Sequence, residues 1–271
     1  MGVLNVTPDS FSDGGLFQDS EAAIRHGLAL SSEGADWIDV GGESTRPGAS
    51  PVPMEVELER VLPVVRALAG SGLAVSVDTR KPEVARQAVE AGARLVNDVG
   101  GLRDPAMREV CAATGAKVCI MHMQGEPSTM QHSPTYRDVV EEVAEYLSRQ
   151  AELAVAAGVK EERIWVDPGI GFGKTTEHNL ALLRGIPRLR ALGFPVLIGV
   201  SRKAFLGRLL GGEDAPLPTS ERGEASLAAQ LYAVAQGADV IRCHDVRAMA
   251  RAQRVWDALA LGIHGVSPPI S

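Results

Sequence analysis

The sequence predicts an α/β protein folded as one (β/α)8 barrel of the TIM type. Three observations carry this: eight short Val- and Ile-rich runs, amphipathic stretches between them, and a glycine just before every run after the first. A doubly wound open sheet is the alternative, but eight strands alternating with helices over 271 residues favour the barrel.

The apolar runs lie at 2–4, 37–40, 73–77, 95–96, 117–121, 164–166, 196–200 and 240–242. The glycines before them are Gly34, Gly72, Gly92, Gly115, Gly158, Gly193 and Gly237, and each can take the left-handed conformation that closes a helix. The first run follows Met1 directly, so either the barrel floor is open there or a segment is missing ahead of it. Thr79 can cap a helix with Pro82 in its first turn, and Asp104 can cap one that opens at Pro105. One barrel is expected over 1–262. The end, 263–271, contains Ser267-Pro268-Pro269 and is expected to be a disordered tail.

Composition narrows the function. Hydrophobic residues make up 45 %, yet no run is long and uncharged enough to cross a bilayer. The start lacks the basic and apolar regions of a signal peptide, so a cytoplasmic protein is expected. Three cysteines (Cys111, Cys119, Cys243) form neither a disulfide framework nor a zinc-ligand spacing. Net charge is -7 with no Lys/Arg block, which argues against nucleic acid as a partner. Positive charge for an anionic substrate must therefore be local.

Active sites of such barrels gather where strands end and loops begin. Polar residues stand there in every repeat. Strand one ends at Asn5, followed by Thr7, Asp9, Ser10 and Asp13. Strand two runs into Gly41-Gly42-Glu43-Ser44-Thr45-Arg46-Pro47-Gly48. Asp78, Asn97-Asp98 and Met121-His122-Met123-Gln124 follow on strands three to five. Asp167 to Lys174, Ser201-Arg202-Lys203 and Arg242-Cys243-His244-Asp245 complete the ring.

Each residue also has a plainer reading. Asp78 can be a helix cap, Asn97 a turn residue, Lys203 a solvated helix lysine and His244 a surface histidine. His122 is expected to be a packed, hydrogen-bonded histidine rather than a ligand. Two motifs fail: a P-loop needs glycine at Pro168, and a dinucleotide fingerprint needs glycine at Lys174.

Together the motifs are specific. Leu4-Asn5-Val6-Thr7-Pro8-Asp9-Ser10-Phe11-Ser12-Asp13-Gly14-Gly15 resembles the opening signature of the dihydropteroate synthases, and Gly41 to Gly48 resembles their second. The resemblance continues in order through Val77-Asp78-Thr79, Asn97-Asp98, Met121 to Gly125, Asp167 to Lys174, Ser201 to Lys203 and Arg242 to Asp245, as far as about Asp257. The departures are the missing lead-in and Cys243.

That resemblance implies transfer of a dihydropterin-methyl group from its diphosphate to p-aminobenzoate, with Mg2+ and, as in the family, a homodimer. It implies Asp78, Asn97, Met121, Asp167 and Lys203 around the pterin. A carboxylate such as Asp167 can accept the guanidine-like pterin edge in parallel, much as it accepts arginine. It implies Asn5, Thr45, Arg46, Arg242 and His244 on the diphosphate, with Asn5 on the metal. Thr45, Pro47, Phe172, Ser201 and Lys203 would line the p-aminobenzoate pocket, which sulfonamides occupy in this family. Asp78, Lys203, Arg242 and His244 would carry catalysis, with no general base assigned. The loops 7–15 and 44–50 are expected to close over the centre. A pterin-binding methyltransferase and a non-catalytic paralogue are the rivals. The first has no use for a diphosphate site, and the second should have lost part of the constellation.

Overall fold

The computed structural model describes residues 1–7, 15–44, 51–125, 130 and 133–262. Much of both predicted closing loops and the predicted tail lie outside them. The described chain runs β1 (Gly2–Asn5), α1 (Gly15–Ser32), β2 (Trp37–Gly41), α2 (Met54–Gly70), β3 (Ala74–Asp78), α3 (Pro82–Glu90), β4 (Leu95–Asp98), α4 (Pro105–Thr114) and β5 (Lys117–Met121). It continues through α5 (Val139–Ala156), β6 (Ile164–Asp167), α6 (Thr176–Arg184), α7 (Ile186–Arg190), β7 (Leu197–Ile198), α8 (Ala204–Gly211), α9 (Gly223–Ala235), β8 (Val240–Ile241) and α10 (Val246–Leu261).

Strands β1 to β6 pair in chain order as a parallel six-stranded sheet, and β7 and β8 form a parallel pair. Two narrow seams join these pieces into a (β/α)8 barrel: Val166 faces Val196, and Gly2 faces Cys243. At the first seam the Val166 N–H donates to Pro195 O at 2.9 Å. At the second, Val3 N–H donates to Cys243 O and Cys243 N–H to Met1 O, both at 3.0 Å.

Alternation along the strands sorts the side chains. Leu4, Ile38, Val40, Val75, Val77, Val96, Val118, Ile120, Ile164 and Val166 are buried in the main core with residues of the surrounding helices. Their neighbours in sequence face the barrel interior. There Met1, Leu95, Cys119, Trp165 and Leu197 pack with Trp37 and Val240, filling the lower barrel rather than leaving it open. The Trp37 and Trp165 rings meet edge-on at 5.5 Å, and Lys117 Nζ stands 5.0 Å from the Trp165 centroid.

All seven predicted closing glycines adopt φ between 66° and 115°. Asp104 caps α4 by accepting from Ala106 N–H. Thr79 does not cap α3: Lys81 holds that position, and the Thr79 hydroxyl accepts from Lys81 N–H at 3.2 Å. Because α3 begins at Pro82, its capping position falls on Lys81, whose side chain has no acceptor, so the helix starts without a side-chain cap. Five strands, β1 to β4 and β6, end later than their apolar runs. β1, β3 and β6 extend onto Asn5, Asp78 and Asp167, and β4 onto Asn97 and Asp98. The ladder depends on backbone bonds, so a polar residue at its end does not stop it. β7 and β8 are shorter than expected, spanning Leu197–Ile198 and Val240–Ile241. Among the described residues no helix is long and apolar enough to cross a membrane.

Candidate active site at the barrel rim

Strand register assembles the site. Asn5 lies opposite Gly41, Gly41 opposite Asp78, and Asp78 opposite Asn97. Across the barrel, Met121 lies opposite Asp167. These are interior positions at the strand ends, so their side chains converge on one level.

A charge cluster occupies one side. The buried Asp39 carboxylate accepts from Arg242 Nε at 2.6 Å and from Asn97 Nδ2 at 3.0 Å, both on Oδ2. Arg242 Nη2 donates to Asp78 Oδ2 at 2.9 Å. The Oδ1 atoms of Asp39 and Asp78 are buried without a hydrogen-bond partner. Burial pushes the Asp78 carboxyl up to about 7. The Arg242 guanidinium opposes that shift, and the negative charges of Asp39, Glu57 and Asp98 add to it. Burial works against the Arg242 cation, but Asp39 and Asp78 outweigh it and hold the proton more firmly than usual.

The other side is apolar. Val99, Met121, Met123 and Met130 cluster there with Phe172 packed against them. Asp167 is buried beside this wall, and its Oδ1 accepts from Gly169 N–H at 2.7 Å. Burial raises its pKa. The Gly169 N–H bond and the positive charges of Lys203, Arg242 and Lys174 work the other way. Lys203 Nζ stands 4.0 Å from the Phe172 centroid. Burial, helped by Arg242, lowers the Lys203 ammonium to about 8 against the pull of Asp167 and Asp78.

The loop after β6 lies tightly on the chain that leaves β5. Gly169 and Gly173 take left-handed φ of 67° and 62°. A Cβ at Gly169 would stand 1.9 Å from His122 O, and one at Gly173 would stand 2.5 Å from Gln124 O. Only glycine allows both the backbone angle and the approach. After β8, His244 Nδ1 lies 3.0 Å from Ser201 Oγ, which also accepts the His244 backbone N–H at 3.2 Å. At the root of the loop after β2, Glu43 accepts from Val52 N–H, Arg80 Nε and Lys81 Nζ.

Of the residues predicted from sequence, Asn5, Asp78, Asn97, Met121, Asp167, Phe172, Ser201, Lys203, Arg242 and His244 stand at this rim. Thr45, Arg46 and Pro47 lie outside the described residues. Asp78 is an ion-pair partner rather than a helix cap, and Asn97 is an anchored rim residue rather than a free turn. Lys203 stands before α8 with its ammonium over an aromatic ring. His122 is buried and bonded to Lys174, as its packed reading expects. Two residues were given no role of their own from the sequence. Asp39 is a carboxylate inside the apolar run of β2, a placement that itself signals a buried partner. Lys174 closes the glycine-rich stretch and lies fully inside the protein.

Asn5 is the candidate metal ligand. Its carboxamide is half-buried at the end of β1 and makes no side-chain hydrogen bond among the described residues. No group of three or more His, Cys, Asp or Glu able to hold a metal exists among those residues. A single hard oxygen donor at the rim suits a cation such as Mg2+, which takes oxygen ligands and keeps most of its waters.

Comparison with known proteins agrees with the geometry. Residues 1–244 match the pterin binding enzyme family. The chain is 47 % identical over 267 residues to the dihydropteroate synthase of Neisseria meningitidis serogroup C, covering 97 % of this chain and 93 % of that one. Among solved structures it is similar to Xanthomonas albilineans dihydropteroate synthase with 4-aminobenzoic acid (TM-score 0.89, 48 % identity, covering 96 % and 92 % of the two chains). It is also similar to that enzyme in complex with 7,8-dihydropteroate (TM-score 0.86, 46 % identity, covering 96 % and 93 %). With strand order, rim chemistry and near full-length likeness in agreement, the chain belongs to the pterin-binding enzymes and, within them, to the dihydropteroate synthases, transferases of folate biosynthesis.

Proposed function

We propose that this rim condenses (7,8-dihydropterin-6-yl)methyl diphosphate with p-aminobenzoate, giving 7,8-dihydropteroate and pyrophosphate. The observation that carries the reading is Arg242, held by Asp39 and Asp78 beside Asn97. Two of its nitrogens are committed to carboxylates, and the remaining Nη1 can face an anion. One cation thereby links an anion site to the polar edge of a heterocycle site.

The pterin lies against Met121, with its amino and ring N–H groups on Asp167 and its other contacts on Asp78, Asn97 and Lys203. Arg242 and His244 take the diphosphate, joined by Thr45 and Arg46 from the loop after β2. The bond between the methyl carbon and the diphosphate oxygen breaks, and its electron pair leaves with pyrophosphate. Electron density from the pterin nitrogens stabilises the cationic carbon. Asp78, as a carboxylate close to that charge, adds electrostatic support. The neutral amine of p-aminobenzoate, held by Thr45, Pro47, Phe172, Ser201 and Lys203, attacks the carbon and then sheds a proton. An arylamine is nucleophilic without a strong base, so no general base is assigned. Asn5 would hold Mg2+, which when bound neutralises charge on the departing diphosphate.

We place the reaction in the cytoplasm; three buried cysteines present as free thiols support this. We further propose a homodimer. Leu209 and Leu210 on α8, Tyr232 on α9, and Val255 and Leu259 on α10 are exposed, with Leu259 at 81 %. Apolar groups this exposed on consecutive helices suit a self-complementary interface, and light scattering measures the resulting mass.

The deciding experiment mixes the protein with the pterin diphosphate, p-aminobenzoate and Mg2+ and follows pyrophosphate. Release that requires both organic substrates supports the reading. Release without p-aminobenzoate, or none, rejects it. Methyl transfer from methyltetrahydrofolate would support the rival class instead.

A further inference from the structure

We propose that Lys174 is a positioning residue for this reaction: its buried ammonium ties the loop after β6 to the end of β5, and so sets both Phe172 and Asp167 for substrate. The inference rests on the proposed pterin and p-aminobenzoate sites.

Lys174 is 1 % exposed, a lysine sealed inside the protein. Its Nζ donates to Phe172 O at 2.9 Å and to His122 O at 3.4 Å, and lies 3.0 Å from His122 Nδ1. An ammonium has three donors and no acceptor, so these three partners satisfy it completely. No carboxylate lies within ion-pair distance of it among the described residues. The two carbonyls come from different strand ends, and the glycines at 169 and 173 press those ends together. Carbonyl oxygens converging in a dry interior require a shared donor, and Lys174 is that donor.

The consequences reach substrate by two routes. Phe172 carries the carbonyl that Lys174 holds, and its ring stands 4.0 Å from Lys203 Nζ. Displacing this carbonyl displaces the ring and the ammonium above it. The second route is electrostatic. The nearby positive charge of Lys174 favours the ionised form of Asp167, alongside Lys203, Arg242 and the Gly169 N–H. A carboxylate that accepts two pterin N–H groups has to be ionised. His122 fits this arrangement as a neutral ring: burial first, then Lys174 and Arg103, lowers it to about 3, leaving Nδ1 as acceptor. Tyr146 and Tyr136 pack on its ring, with His178 beyond Tyr136. Burial lowers Lys174 itself to about 7; Asp167 opposes this and Lys203 adds to it.

Three variants separate placement from charge. Lys174→Met removes both, Lys174→Gln keeps donors without charge, and Tyr136→Phe removes an uncharged tether, the hydroxyl bond to Gly173 O. Folding is followed by circular dichroism. Binding of 6-hydroxymethyl-7,8-dihydropterin is measured against pH, and KM and kcat are measured for p-aminobenzoate. Lys174→Met is expected to raise the KM for p-aminobenzoate by about tenfold or more, with a smaller change in kcat. In both Lys174 variants the acid limb of pterin binding is expected to move to higher pH, because Asp167 loses a neighbouring cation. Tyr136→Phe is expected to leave that limb in place.

An unmoved limb with an unchanged KM in folded Lys174→Met overturns the proposal. A KM change with an unmoved limb in both Lys174 variants overturns the electrostatic half. In the unaltered protein, nitrogen NMR is expected to show His122 as the Nε2–H tautomer; an Nδ1–H ring would overturn it even if no variant folds. Failure of the wild type to bind the pterin at all would instead reject the functional reading on which this rests.

Discussion

Arg242 Nε lies 2.6 Å from Asp39 Oδ2, although 203 residues separate the two in the chain. Asp39 is fully buried and shares the same oxygen with Asn97. Removing one partner of a buried pair strands the other, which typically costs about 3–5 kcal/mol. Asp39→Ala is therefore expected to lower stability by that order in urea unfolding and to reduce pyrophosphate release strongly. Asp39→Asn, which keeps an acceptor, is expected to be milder in stability. Equal stability of Asp39→Ala and the parent would contradict the pairing.

The pH profile follows from Asp78 and Lys203. Asp78 has its pKa raised to about 7, so it becomes a carboxylate only as pH rises through that value. Lys203 is lowered to about 8 and loses its charge above it. Since both charges serve the reaction, kcat/KM is expected to rise through the first value and fall through the second. Asp78→Asn is expected to lose the acid limb along with most of the rate. Retention of that limb would assign it to another group.

Lys203→Ala and Asp167→Asn are each expected to fold normally and lose turnover. A charged hydrogen bond is worth about 1.5–3 kcal/mol, which is roughly 10- to 150-fold in kcat/KM. Initial rates with both substrates check this, and near-normal dihydropteroate formation by either variant counts against the site.

Gly169→Ala tests the close approach of the two loops. The added Cβ meets His122 O at 1.9 Å and sits on a left-handed backbone. The backbone alone costs about 1–2 kcal/mol, and the collision adds to it. A lower melting temperature and weaker p-aminobenzoate binding are the expected results; an unchanged melting curve would show that the loop shifts freely.

Chelation of Mg2+ with EDTA is expected to weaken binding of the pterin diphosphate while leaving the pterin without diphosphate unaffected. Asn5→Ala is expected to reduce the dependence on Mg2+ in the same assay. Equal binding with and without EDTA would remove Asn5 from the metal.

The barrel was legible in the sequence because its signals are local. Apolar runs, the glycines that close helices and the Asp104 cap each depend on a few neighbouring residues. The rim was legible because every strand ends in chemistry at the same level. Asp39 was hidden by the same alternation: within Trp37-Ile38-Asp39-Val40 it reads as part of an apolar run, and its reason for burial, Arg242, stands at the other end of the chain. Lys174 was legible as the end of the stretch after β6, but its role was not, because its partners are mostly carbonyls, which leave no trace in side-chain spacing. The cap expected at Thr79 failed because α3 starts at Pro82, which puts Thr79 two residues ahead of the capping position at Lys81.

The two seams have a consequence for how the enzyme fails. The acidic side chains Asp39, Asp78 and Asp167 belong to the six-stranded piece, whereas Lys203 and Arg242 stand at the ends of the smaller piece. Both joints therefore run through the reacting centre, and the ion pairs of Arg242 with Asp39 and Asp78 help hold the second one shut. Any breathing that parts those joints dismantles the reacting centre while most of the ladder is still intact, so inactivation should run ahead of melting.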